Sequence, residues 1–383
     1  IGIALARDGW LAVLADHAGH GANHRPLSQE TLGSEIPALV DWVNDRGDVE
    51  AVTLLGHSMG AGAATRAAAD LDLPVVALSL PSADELAADL NAVLAVGRLE
   101  PSRFRQAAAD AADAGYATVV IDGAEHISIL FRTQTLQTAV TWLDGVVARP
   151  AGPVQPDPRM LGVGAAYLGS ALLFWPVSAL VVRRRPSSSP GRGARIPAWS
   201  APPLAAAAAG TVLAVLPALG EALPLLVGDY LAALLALSGM AMLSVVRRVE
   251  RPSLAAVPGL LMGLLAAVAV GVPAQLAWAE VSLSGARGWS ALALAVAVGL
   301  FGWAELMLGG RYRAMVLGRL LLTAVVAVLA VIGAAPGFLT LLLPLMALLL
   351  PWFGAYGIRM RDLTGSALAG ALAQAPPVAL LVA

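Results

Sequence analysis

The stretch Val52-Thr53-Leu54-Leu55-Gly56-His57-Ser58-Met59-Gly60-Ala61-Gly62 constrains this chain more than any other. An apolar run of strand-forming residues stops at Gly-x-Ser-x-Gly, and an alanine-rich helical pattern follows to Leu71. A strand that passes straight into a helix through such a turn holds its serine at a strained backbone position, exposed at the edge of a sheet with a helix N-terminus behind it. Gly56 and Gly60 let strand and helix approach closely.

The flanking pattern agrees with a parallel sheet. Apolar runs at 10–16, 49–55, 73–80, 91–96 and 118–121 read as five buried strands. Helical spacing occupies 1–8, 28–44, 103–114 and 135–147, and Ser28 or Thr31 is placed to cap the second of these. Strands alternating with helices predict an α/β domain with helices on both faces of a parallel sheet.

The same motifs, in this order, resemble the α/β-hydrolase superfamily over residues 1–148. Ala4, Arg7-Asp8-Gly9-Trp10, Val13-Leu14-Ala15-Asp16 and Gly19-His20-Gly21 are similar to its second-strand region and Asp-x-x-Gly-His-Gly loop. Gly56-His57-Ser58-Met59-Gly60 is similar to its nucleophile turn. The resemblance implies a chain order of Ser, acid and His. Gly97-Arg98-Leu99-Glu100 after the fourth strand supplies Glu100 as the acid, with Asp122 and Asp84 as rivals; Asp122-Gly123-Ala124-Glu125-His126 after the fifth supplies His126. Ser58 would then be the nucleophile, His126 the general base and acid, Glu100 its orienter, and the Met59 N–H an oxyanion donor. The family's early strands and its second oxyanion loop are expected before Ile1. Only eight residues separate Ser82 from Asn91, where many members insert a cap, so an open site for bulky or interfacial substrates is expected. His57, His17 and His20 are expected to be structural, or to support the site from behind it, rather than to be catalytic. His17, His20 and His24 have no carboxylate pair at ligand spacing, and neither a metal nor another cofactor is expected.

Composition divides the chain. Hydrophobic residues make up 58% of it and charged residues 13%, far below the quarter or so of a soluble domain. Residues 1–150 hold nine arginines against nineteen acids, a net charge of −10; residues 151–383 hold fifteen against seven, net +8. The basic half is also the apolar half, and its arginines lie between apolar runs, which points to lipid and away from nucleic acid. A Pro-rich linker at 149–159 is followed by an all-α transmembrane domain at 160–383. About eight spans are expected, at 160–182, 201–219, 223–246, 253–278, 288–309, 314–335, 337–357 and 364–383. Arg183, Arg184, Arg185, Arg192 and Arg195, then Arg247, Arg248 and Arg251, then Arg311 and Arg313, then Arg359 and Arg361 follow alternate spans. The opposite loops carry Arg287 alone. The positive-inside rule then puts the N-terminal domain outside the cytoplasm.

Within or near the spans stand Glu221, Asp229, Glu280, Glu305 and Arg319, of which Arg319 is expected to snorkel and Asp229 and Glu305 to carry any intramembrane role. Gly259-x-x-x-Gly263 suits close helix packing. The expected activity is hydrolysis of an ester, thioester or amide, esterase-like or lipase-like on an acyl substrate near the bilayer. A peptidase of the same superfamily is one alternative; a transporter-like membrane protein with a degenerate binding domain is the other.

Overall fold

The computed structural model describes residues 1–20, 23, 25, 28–150, 152–154, 159–182, 196–221, 228–246, 249–251, 253–277 and 285–382. His24, Arg183, Arg184, Arg185, Arg192, Arg195, Arg247, Arg248, Glu280 and part of the expected linker lie outside them. The chain divides into two compact units, Ile1–Pro158 and Arg159–Ala383.

In the first unit, α1 (Gly2–Arg7) and α2 (Gln29–Asn44) precede β1 (Leu54–His57), α3 (Met59–Leu71), β2 (Val75–Leu78), β3 (Ala92–Gly97), α4 (Ser102–Asp113), β4 (Ala117–Ile121) and α5 (Thr133–Val146). The four strands form a parallel sheet in the order β1-β2-β3-β4. Side-chain alternation decides which face each residue serves. Val75, Ala77, Ala92 and Leu94 join Ala61, Ala64, Ala68 and Ala111 from α3 and α4. Val76, Leu78, Val93 and Ala95 join Ile129, Ala139 and Leu143 on the other face, with Leu5 of α1 packed against them. Both faces are buried, which is why these strands read as continuous apolar runs. Ser28 caps α2 through a reciprocal bond with Thr31, and Ile36 and Val40 seat that helix on Ala63 and Ala67 of α3.

Two expected strands differ. Residues 10–16 form no ladder, and Leu11 and Leu14 are 59% and 79% exposed. A strand exists only opposite a partner, and among the described residues the sole neighbour of β1 is β2. The segment is held instead at its ends, where Trp10 Nε1 donates to Asp144 of α5 (3.2 Å) and Asn23 Nδ2 donates to the Asp16 carbonyl (2.9 Å). The strand expected at 49–55 begins only at Leu54, because Val75, opposite Leu54, is the first residue of its partner.

The second unit contains α6 (Arg159–Val181), α7 (Ala201–Val215), α8 (Gly228–Ser244), α9 (Val257–Ala277), α10 (Gly285–Met307), α11 (Tyr312–Val331), α12 (Leu343–Thr364) and α13 (Ala367–Val382). Five described helices, those at Leu161–Val181, Leu254–Leu276, Gly288–Met307, Tyr312–Val331 and Leu343–Thr364, are long and apolar enough to cross a membrane, which suggests a membrane protein. The described parts of α7, α8 and α13 have 15, 17 and 16 residues, fewer than the roughly 20 that a full crossing takes. The seventh expected span is displaced: a 3₁₀ turn occupies Gly337–Leu341, and α12 starts at Leu343 with proline in its first turn. Arg359 and Arg361 therefore lie inside α12 rather than in a loop.

Close packing centres on α13. A side chain at Gly259 of α9 would run into the backbone at Ala369, so glycine is what lets these two helices touch. Arg319 does not snorkel; at 2% exposure it is buried among four helices. Its Nε donates to Glu305 of α10 (3.0 Å), and its terminal nitrogens donate to the Leu350 carbonyl of α12 and to Gln374 Oε1 of α13 (2.6 Å). Glu305 is thus neutralised by a partner, as a charge buried in an apolar unit requires. Asp229 is placed differently, accepting the Tyr230 N–H in the first turn of α8.

Candidate active site

The turn between β1 and α3 puts Ser58 at φ 54°, ψ −122°. Two features hold it there. A Cβ at Gly56 would strike the backbone carbonyl of Gly60, so strand and helix meet only through glycine. The Ser58 N–H donates to the carbonyl of Leu78 at the end of β2 (2.9 Å). Met59, the first residue of α3, has no carbonyl one turn behind it within the helix to receive its N–H. The N-terminal end of α3 therefore presents donors and positive potential at the serine.

The loops after β3 and β4 bring two further side chains to Ser58. His126 Nε2 lies 2.9 Å from Ser58 Oγ, and His126 Nδ1 lies 2.9 Å from Glu100 Oε2. His126 and Glu100 are 3% and 2% exposed. The carboxylate accepts only, so Nδ1 carries the proton and Nε2 is left to accept from the serine hydroxyl. Such a relay can take a proton from a hydroxyl while a buried carboxylate stabilises the resulting imidazolium.

The other oxygen of Glu100, Oε1, accepts from Ser79 Oγ (2.7 Å) and from the Gly97 N–H (2.8 Å). Ser79 itself sits at φ 54° at the end of β2, next to the acid's strand. The sequence reading missed it, although a polar residue ending an apolar strand beside the Gly97 turn was the available signal. It also missed Phe104 of α4, whose ring lies 4.3 Å from that of His126. The rival acids are elsewhere: Asp122 pairs with Arg98 on the surface, and Asp84 accepts from Ser82 in an exposed turn. His57 Nε2 lies 2.9 Å from the His126 carbonyl oxygen. Burial, and then the neighbouring His126, push the His57 pKa down to about 4.

Glu125, beside His126, pins the same loop. Burial alone would raise its pKa, but N–H groups of Ile127 (2.9 Å) and Ser128 (2.6 Å) donate to its carboxylate and hold it below the usual range. Away from the relay, Glu35 of α2 gathers the loop ahead of it, accepting from the Ala18 N–H (3.0 Å), Asn23 Nδ2 (3.2 Å) and Arg25. His17 Nδ1 lies 3.3 Å from Glu35, and His20 Nδ1 lies 3.0 Å from the Ala18 carbonyl. Among the described residues no group of three His, Asp or Glu is arranged to hold a metal ion.

Residues 1–114 match the family model of the alpha/beta hydrolase fold, a match that includes Ser58 and Glu100 and ends before His126. No curated protein and no solved structure matches the chain. With its four parallel strands, the first unit carries the alpha/beta hydrolase fold, which suggests a hydrolase.

Proposed function

We propose that this alpha/beta-hydrolase-fold domain is a membrane-bound serine hydrolase that transfers an acyl group to water through Ser58. One observation carries the reading: an unbroken hydrogen-bonded chain from Ser58 Oγ through His126 to buried Glu100, starting in a strained turn at a helix N-terminus. His126 takes the Ser58 proton as Oγ attacks the carbonyl carbon, then returns it to the departing oxygen, sulfur or nitrogen. In the second half, His126 deprotonates water, which releases the acid and restores Ser58. Glu100 keeps His126 in the productive tautomer. The Met59 N–H, at the end of α3, supports the tetrahedral oxyanion.

An ester of a lipid-like acyl chain is the favoured substrate. The support is the adjoining membrane domain together with the short connection at 81–90, which holds only the brief 3₁₀ turn Ala83–Glu85 where a cap would stand. By the arrangement of arginines this domain lies outside the cytoplasm.

The test is labelling of the full chain in membranes with a fluorophosphonate probe. Wild type is expected to label, and Ser58→Ala and His126→Ala are expected to lose it. A folded wild-type protein that does not label removes the proposal.

A further inference from the structure

Ser58 and His126 are delivered from opposite edges of the sheet. Ser58 follows β1 and His126 follows β4, with β2 and β3 between them. At about 4.8 Å per strand, the two backbones start roughly 14 Å apart. The bond between Ser58 Oγ and His126 Nε2 cannot hold that gap closed, because the proposed reaction breaks and remakes it. The bond to Glu100 sets the rotation of the imidazole, and Glu125 and the Leu99 N–H, which donates to the Ala124 carbonyl (2.9 Å), hold the loop to itself and to the turn after β3, but none of these bonds reaches the strand that carries Ser58.

One contact does span the sheet without entering the chemistry. His57, the last residue of β1, meets the main-chain oxygen of His126, 69 residues further along. A carbonyl can only accept, so His57 Nε2–H donates. The His57 and His126 rings are 4.7 Å apart, and Phe104 lies 4.3 Å from the His126 ring. The base is therefore fixed at its ring and, through His57, at its backbone.

We propose that His57 is a positioning residue, tying the main chain of His126 to the turn that carries Ser58 and so setting the separation of Nε2 from Oγ. The inference rests on the serine-hydrolase reading. It explains why this partner is an imidazole that stays neutral. With its pKa near 4, His57 keeps a single donor N–H at neutral pH and adds no second cation beside His126 when that ring becomes an imidazolium. Misplacing a base by about 1 Å costs on the order of a hundredfold in rate, so one anchoring bond is enough to matter.

The test compares His57→Phe, which fills the ring's volume without a donor, with His57→Gln, which restores a neutral N–H. Both are made in the full chain in membranes, with His57→Leu replacing the first should it not fold. The readouts are the fluorophosphonate labelling rate, and kcat and KM for a p-nitrophenyl acyl ester. The donorless variant is expected to lose roughly ten- to a hundredfold in labelling rate and kcat with KM nearly unchanged, and His57→Gln to recover most of that loss. Wild-type rates in His57→Phe, or equal losses in the Phe and Gln variants, would overturn the proposal. Wild-type protein that fails to label is a different result: it overturns the hydrolase reading, and the positioning role goes with it.

Discussion

At the scale of single residues, the site depends on which atom holds which proton. Ser79 and the Gly97 N–H both donate to Glu100 Oε1, so only an oxygen is accepted there. Glu100→Gln would keep its oxygen on that side and turn its NH₂ toward His126 Nδ1. That forces the proton onto Nε2, where it faces Ser58. A fall in kcat of about 10⁴-fold is expected with little change in KM, measured by ester hydrolysis at neutral pH. Ser58, Glu100 and His126 were legible because each stands at a glycine-marked turn after an apolar strand. Ser79, Phe104 and the anchoring role of His57 were not, because nothing local in sequence ties a residue at 57 to a carbonyl at 126. Arg319 was misread for the same reason: its partners Glu305 and Gln374 stand on other helices, and hydropathy along one helix cannot report them.

At the scale of elements, the local patterns located helices well and strands less well. Alternation and apolar content describe a residue's faces, not its hydrogen-bond partner, so the run at 10–16 reads as a strand although no ladder forms there. In the membrane unit, unbroken apolar composition concealed the start of α12, which the proline in its first turn marks. Among the elements before the sheet, Glu35 is the latch between α2 and the preceding residues His17, Ala18, Asn23 and Arg25. Although burial works against the charged form, the donors from Ala18, His17, Asn23 and Arg25 hold its pKa below the usual carboxylate range. Its contribution is therefore fully present above that range and is lost as pH falls through the lowered value. Glu35→Gln is expected to lower the thermal inactivation midpoint at pH 7, and the gap from wild type is expected to close as pH drops below about 4, read from midpoints across a pH series.

At the scale of the whole molecule, an acidic α/β unit and a basic apolar unit each close a core of their own residues. The absence of cysteine from these 383 residues makes the proposed topology directly testable, since an introduced thiol has no rival among them. Asp45→Cys on the first unit is expected to react with a membrane-impermeant maleimide from outside the cell, and Arg311→Cys only after permeabilisation; the reverse pattern would invert the orientation. Backbone strain is also unevenly placed. Only Ser58, Asp72, Ser79 and Ala148 among the described non-glycine residues have positive φ, and two of these four belong to the candidate site. At ordinary positions alanine stabilises a protein more than glycine; at 58 the order is expected to reverse, with Ser58→Gly melting above Ser58→Ala by the equivalent of roughly 1 kcal/mol. A chain shaped for endurance alone would carry glycine at that turn, and the serine standing there records a demand that folding does not make.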